Sequence, residues 1–248
     1  MLKKERQAYI IQQINIHNKV LSSDLSTQLN VSEDTVRRDL QELSEEGKLI
    51  KVHGGALSKS FHFTIQNENI YLLPEKKIIA HKAISLIKDG MFVLLSGGTT
   101  IRELVKSLPP KLNATFITVS VPTALELLNH PNSEIIFLGN KLSKNAQMAV
   151  GAEVVQRLNE IKADLCFLGT NSFDANEGVT DLEWDVIEVK KAMIRAAHKT
   201  VSLSISEKLN TVQRLLVCKP EDIDILITEL VPESEVLQPY RDKGITVL

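Results

Sequence analysis

Aromatic residues are scarce in this sequence. One Trp, three Tyr and seven Phe among 248 residues make an aromatic share of 4%, so any core must be built from aliphatic side chains. Cysteine is scarcer still. Cys166 and Cys218 lie far apart in strand-like runs, which excludes a disulfide scaffold or a CxxC pair and reads as two reduced core thiols of a cytoplasmic protein. No apolar run approaches the roughly 18 residues of a membrane span. The opening Met-Leu-Lys-Lys-Glu-Arg leads into no apolar signal segment. The six histidines form no HExxH or similar pair, so zinc hydrolase chemistry is not expected. A surplus of either charge is missing too: 29 Lys+Arg stand against 31 Asp+Glu. Taken alone, that balance speaks against a nucleic-acid partner.

What is present is a globular composition, 43% hydrophobic and 24% charged, written in two grammars. Residues 1–57 are short helical segments with polar punctuation. Residues 76–248 alternate aliphatic runs with amphipathic stretches. Residues 58–75 show no clear period and read as a linker carrying Phe61, Phe63 and Tyr71.

In the first segment, Ile10, Ile11 and Ile14 recur at one-face helical spacing between about Lys3 and His17. Ser22 or Ser23 is placed to cap a short second helix that buries Leu25 and Leu29. Asn30 suits a left-handed turn, and Val31 fills the corner. Ser32 caps a third helix with the stripe Val36, Leu40 and Leu43, closed by Gly47. Leu49–Val52 then has strand character, and His53-Gly54-Gly55-Ala56 is a tight turn. Two helices across a short turn, followed by a hairpin, describe a winged helix-turn-helix.

Burying that stripe leaves Glu33, Asp34, Thr35, Arg37, Arg38 and Gln41 facing outward. The N-terminal half of a recognition helix meets base edges, and Arg is the commonest reader of guanine. Candidate DNA contacts are therefore Ser32, Thr35, Arg37 and Arg38 on the helix, with Lys51 and His53 on the wing. A small protein-interaction domain with solvated arginines is the alternative on geometry alone. Residues 1–57 hold eight Lys/Arg and eight Asp/Glu, so the basic groups must act by placement.

From Pro74 onward helices and strands alternate. Lys76–Ile87 is amphipathic, and Met91–Leu95 reads as a buried strand running into Ser96-Gly97-Gly98-Thr99-Thr100 before a helix over Ile101–Leu108. Further strands are expected near Phe116–Val119, Ile135–Leu138, Leu165–Leu168, Val201–Ile205, Leu215–Val217 and Ile223–Thr228, with helices over Thr123–Leu128, Ala152–Ile161 and about Leu182–Ala197. That rhythm predicts an α/β domain with a mostly parallel sheet covered on both faces, and ligands at the strands' carboxyl ends. Gly97 and Gly98 let backbone approach an anion, the following amides point at it, and the two Thr hydroxyls add donors. An ordinary strand-to-helix turn is the simpler alternative. The Walker spacing is absent.

The run Val31-Ser32-Glu33-Asp34-Thr35-Val36-Arg37-Arg38-Asp39-Leu40, with Gly47 and His53-Gly54-Gly55-Ala56 at matching places, resembles the signature helix and wing of DeoR-type bacterial transcriptional regulators. The resemblance spans essentially the whole chain. Glu75-Lys76, Gly98-Thr99-Thr100, Leu168-Gly169, Glu177–Thr180, Glu188–Ile194 and Lys208 are similar to later family motifs. It implies a Rossmann-like sensor domain similar to ribose-5-phosphate isomerase that responds to phosphorylated sugars. Ser96 and Ser206 stand where the family often has Asp, and Val119-Ser120 where it often has Asn. The phosphate loop is thus expected to survive while the sugar end is rebuilt.

Asp181, Glu183, Asp185 and Glu188 are dense enough for a metal, but Thr180-x-x-Glu183 is also a capping box and acids belong in a first helical turn. No metal or cofactor is expected. Trp184 either edges the effector pocket or packs against a helix, the latter preferred. The expected effector-site residues are Lys76, Ser96, Gly97, Gly98, Thr99, Thr100, Asp174 and Lys208. The reading is a cytoplasmic, homo-oligomeric repressor that binds a double-stranded DNA operator and is modulated by a phosphorylated sugar or related metabolite. The alternative is a sugar-phosphate isomerase with an accessory N-terminal domain.

Overall fold

A computed structural model describes residues 1–58 and 70–248. Phe61, Phe63 and most of the expected linker lie outside the described residues. The chain forms two compact units, Met1–Tyr71 and Leu72–Leu248.

The first unit contains α1 (Lys3–His17), β1 (Lys19–Leu21), α2 (Ser22–Leu29), α3 (Glu33–Glu45), β2 (Leu49–Val52) and β3 (Gly55–Ser58). Ser32 caps α3 by accepting from the Thr35 amide at 3.2 Å. Asn30 ends α2 in the left-handed region at φ 51°, and Gly47 turns at φ 72° after α3. Ile10 and Ile14 of α1, Leu25 of α2, and Val36, Leu40 and Leu43 of α3 close one aliphatic core with Leu49 and Ala56 of the wing. Two details differ from expectation. Ser22 and Ser23 lie inside α2, whose N-cap is Leu21, because the chain passes directly from strand to helix. That strand, β1, pairs antiparallel with β3 and makes the wing three-stranded, in the order β1-β3-β2. Three residues carry too little alternation to announce a strand.

The second unit is built on seven strands: β4 (Phe92–Leu95), β5 (Thr115–Thr118), β6 (Glu134–Phe137), β9 (Ala163–Gly169), β12 (Ala197–Leu203), β14 (Ile225–Ile227) and β15 (Thr246–Val247). Their order is β15-β14-β12-β9-β4-β5-β6, and every pairing is parallel. Helices α4 (Leu73–Ile84), α5 (Thr99–Lys106), α6 (Val121–Leu127), α7 (Ala152–Asn159), α8 (Trp184–Arg195) and α9 (Gln238–Asp242) complete the α/β fold. Val93, Leu94 and Leu95 are fully buried, as a strand covered on both faces requires. From β4 the chain builds outward through β5 and β6, then returns to place β9, β12, β14 and β15 on the other side. The order therefore reverses between β4 and β9, where α/β sheets open a ligand crevice.

Two smaller sheets decorate this frame. One pairs β7 (Lys141–Ser143) with β8 (Met148–Val150), and the other runs β10-β11-β13 over Ser172–Asp174, Gly178–Asp181 and Leu215–Cys218. The latter is antiparallel, so the run at Leu215 belongs outside the main sheet. Cys166 and Cys218 are both buried and unpaired with each other; burial pushes each thiol up to about 12.

The expected capping box before α8 does not form. Glu183 holds the N-cap position without a side-chain cap and instead accepts from Ser143 Oγ at 3.0 Å. Thr180 sits in β11, where its Oγ1 accepts from the Gln213 amide at 2.7 Å. Nor does Trp184 pack in a helix interface: it is 65% exposed, because Val186, Ile187 and Val189 already occupy the buried face of α8.

Candidate functional site

The outward face of α3 carries the expected DNA contacts. Arg37 and Arg38 are exposed on adjacent positions but differ electrically. Arg37 donates to Glu33 at 3.1 Å and to Asp34 at 3.3 Å, whereas Arg38 has no acidic partner among the described residues. Lys51 on β2 is exposed and donates to Gln41 of α3 at 2.8 Å, tying wing to helix. His53 is exposed on the turn that follows. Ser32 and Thr35 join hydroxyls at 2.9 Å, so both are engaged in the cap. Asp39 faces inward and is 2% exposed.

The second candidate site lies at the switch point between β4 and β9. Ser96 follows β4, and its amide donates to Phe167 of β9 at 3.1 Å. Its Oγ accepts from the Gly169 amide at 2.7 Å, and Thr123 Oγ1 donates to its carbonyl at 3.1 Å. The loop is thus pinned from strand β9 and helix α6. Gly98 then adopts φ 118°, ψ 160° as the N-cap of α5, a conformation that L side chains rarely take. Nothing stands within 4 Å of where its Cβ would be, so the loop faces open space. The amides at the start of α5, from Thr99 on, have no helical partner and carry the positive end of the helix dipole.

Gly169 and Thr170 at the end of β9 draw basic residues to this loop. Lys190 of α8 donates to the Gly169 carbonyl at 3.1 Å and to Asp181 at 2.7 Å. Lys208, in the turn Ser206–Lys208 after β12, donates to the Thr170 carbonyl at 2.9 Å. Burial, reinforced by the charges of Lys76 and Lys190, pushes the Lys208 ammonium down to about 7. Lys76 of α4 is 6% exposed; burial lowers it to about 8, against the opposing charges of Glu103, Glu75 and Glu207. Burial alone would raise the Asp181 carboxyl, but the charge and hydrogen bond of Lys190, with donors from Leu182 and Asn171, hold it below the ordinary range.

The structure therefore brings Ser96 and the Gly97–Thr100 loop to the strand end that holds Lys190 and Lys208, with Lys76 close enough to depress Lys208. Asp174 is engaged elsewhere: its Oδ1 accepts from the amides of Asn176 and Glu177 at 2.8 and 3.0 Å, closing the β10–β11 turn. Lys190 and Asp181 were not among the expected site residues. A signal existed, since a lysine on the apolar face of α8, between Val189 and Ala192, needs a buried partner. No group of three or more metal-ligating side chains occurs among the described residues. No helix among them is long and apolar enough to cross a membrane.

Two family models match the chain: a DeoR-like helix-turn-helix domain over residues 6–61 and a DeoR C-terminal sensor domain over residues 73–230. An HTH-type transcriptional regulator, GolR of Listeria innocua, is 33% identical over 250 residues, covering 100% of this chain and 98% of its own. The HTH-type transcriptional repressor GlcR of Bacillus subtilis is 31% identical over 251 residues, covering 100% and 96%. Among solved structures, ribose-5-phosphate isomerase A of Methanocaldococcus jannaschii is similar at a TM-score of 0.40 and 18% identity, over 54% of this chain and 53% of that one. A translation initiation factor eIF-2B of Pyrococcus horikoshii is similar at 0.45 and 15%, over 80% and 69%.

Proposed function

The chain belongs to the DeoR family of DNA-binding transcriptional regulators, and from that premise we propose that it is a repressor released from its operator by a phosphorylated sugar or related metabolite. The observation that carries the effector half is the convergence at the sheet's switch point. There a glycine loop opening a helix is bonded to the strand end that holds Lys190 and Lys208. Helix amides and placed ammonium groups are the chemistry that holds a phosphate. Lys208 and Lys76 supply charge, Gly97–Thr100 the amides and hydroxyls, and the Lys190–Asp181 pair fixes the strand end behind them.

In the DNA half, the N-terminal part of α3 enters the major groove, with Arg38 reading a base and Lys51 and His53 on phosphate or minor groove. Ser32 and Thr35 hold the helix start, and Arg37 exchanges its acid partners for the DNA backbone. A homo-oligomer places two such helices on successive grooves of a palindromic or repeated site. The phosphorylated ligand acts by binding the released arrangement more tightly. A DNA regulator works where the chromosome is, which places the protein in the cytoplasm. An isomerase reading has no comparable support: the relatives that cover the whole chain are regulators, and no reaction is needed to shift a binding equilibrium.

The test is a DNA titration at several salt concentrations, using duplexes selected from a random library, with and without a panel of sugar monophosphates. Salt-dependent binding to a defined motif, weakened by at least one phosphorylated compound, is expected. Binding without sequence preference, or indifferent to every phosphorylated compound, overturns the proposal.

A further inference from the structure

The first turn of α3, the part lowered into the major groove, presents two carboxylates. Glu33 and Asp34 open the helix directly after its cap. The cap does not use them, because Ser32 Oγ accepts from the Thr35 amide at 3.2 Å and meets the Thr35 hydroxyl at 2.9 Å. The helix dipole favours acids here in the free protein. Beside DNA the same acids face phosphates of their own sign, a repulsion that every duplex exerts.

In the free protein Arg37 covers both, through Nη2 to Glu33 Oε2 at 3.1 Å and Nη1 to Asp34 Oδ1 at 3.3 Å. These contacts are open to solvent, with the Arg37 side chain 59% and the Asp34 side chain 77% exposed, so they exchange readily. Once Arg37 turns to the DNA backbone, the Asp34 carboxylate is left without a donor. Asp34 lies four residues before Arg38, on the same side of the helix and about 6 Å nearer its N-terminus. It therefore meets a base edge within about two base pairs of the one read by Arg38. Glu33, one residue earlier, is turned roughly 140° away from Arg38.

An ionised carboxylate accepts and never donates, and the major groove offers it amino groups at cytosine N4 and adenine N6. Adenine sets the N7 acceptor beside its amino group and so repels a carboxylate, whereas cytosine offers the donor alone. We propose that Asp34 is a specificity-determining residue of the DNA interface, accepting from a cytosine near the base read by Arg38 and rejecting sequences that leave its carboxylate without a donor. This rests on the placement of α3 in the major groove proposed above. Specificity of this kind comes as much from the penalty on wrong sequences as from the contact with the right one.

Selection of duplexes from a random library by the full chain, followed by titration of the selected site and its single-base variants, tests this in the wild type, Asp34→Ala and Asp34→Asn. In the wild type, one position within about two base pairs of the one that Arg38→Ala relaxes demands cytosine, and replacing that base weakens binding about tenfold. Asp34→Ala tolerates all four bases there and binds unrelated duplex about threefold tighter, since a charge repelled by phosphate is gone. Asp34→Asn moves the preference to adenine on the same strand, whose N6 and N7 match the acceptor and donor of the amide. Neither a gain of affinity nor a change of preferred base can come from damage to the fold. A wild type with no such cytosine, or a cytosine kept by both variants, overturns the role of Asp34 while α3 stays in the groove. A wild type without any sequence preference overturns the DNA reading itself.

Discussion

Arg6 of α1 grips Asp39 of α3 with two nitrogens, Nε at 2.5 Å and Nη2 at 3.1 Å from the two carboxylate oxygens. The pair is nearly enclosed, with Asp39 side-chain exposure of 2% and Arg6 of 12%, and the hydrogen bond to Asp39 raises Arg6 above its ordinary range despite burial. In Arg37-Arg38-Asp39 the two arginines turn outward and the aspartate inward, so one tripeptide serves both the groove and the fold. Removing one partner of such a pair costs about 3–5 kcal/mol, because the other charge is left buried. Asp39→Ala is expected to unprotect the amides of α1 and α3 in hydrogen exchange and to abolish operator binding. Replacing both partners, Arg6→Met with Asp39→Leu, restores protection. Full protection in Asp39→Ala alone would show the pair to be dispensable.

Arg38 and Arg37 separate in a DNA assay. Arg38, with no acidic partner among the described residues, reads a base, so Arg38→Ala costs roughly 1–3 kcal/mol and relaxes preference at one position of the site. Arg37, shared with Glu33 and Asp34, must first be released. Arg37→Ala therefore costs less and lowers the salt slope by about 1 without changing sequence preference. Equal losses in both variants, with preference intact, would reduce both arginines to phosphate contacts.

Effector binding is expected to weaken as pH rises through the range 7 to 8. Lys208 at about 7 and Lys76 at about 8 are both cationic below that window and neutral above it. The ligand's own second ionisation, near pH 6 for a phosphate ester, works the other way at lower pH. Affinity for a sugar monophosphate should thus peak between about 6 and 7. Lys190 is paired with Asp181 at 2.7 Å. Lys208→Arg, with a guanidinium that holds its proton, flattens the decline. For folding the sign is separate: these depressed lysines make the unfolded chain the better proton binder, so the unliganded protein gains stability as pH rises above 7 toward 10.5. An identical fall of ligand affinity in wild type and Lys208→Arg would remove Lys208 from the phosphate.

Legibility in the sequence followed the length of each signal. The helix over Lys3–His17 is delimited by its isoleucine period, and Ser32 and Asn30 declare their turns by chemistry that needs no partner. The parallel strands β4, β5, β9, β12 and β14 are visible as aliphatic runs because most of their residues are buried, whereas the two-residue β15 offers no run to read. The three-residue strands at Lys19, Lys141 and Ser172 are not visible either, since two or three alternations carry no period. Within the candidate site, Ser96–Thr100 was legible as a local motif. The linking of Lys190 to Gly169 across 21 residues, and of Lys208 to Thr170 across 38, is tertiary. The capping box at Thr180 failed for the same reason: Thr180 joins β11 and meets Gln213, a pairing that outweighs its local preference for a helix start.

Gly169 offers the sharpest separation of site from fold. A Cβ placed there would lie 2.3 Å from the Gly97 carbonyl oxygen and 3.4 Å from Ser96 Oγ, and the first of these is backbone that cannot swing aside. Gly169→Ala must push the Ser96–Gly98 segment away from β9, breaking the bond from the Gly169 amide to Ser96 and tilting the start of α5. The strand itself is spared, because Phe167 and Leu168 keep their ladder partners on β12. The expected variant is folded, with a melting temperature a few degrees lower, unchanged operator affinity, and loss of response to phosphorylated ligand. Gly98→Ala strains the backbone instead of the neighbours, since its Cβ enters open space at φ 118°, and is expected to weaken the ligand less. Paired melting curves and ligand titrations on the two variants check the ranking. A Gly169→Ala protein that still binds sugar phosphate like the wild type would move the phosphate away from the β4–β9 switch point.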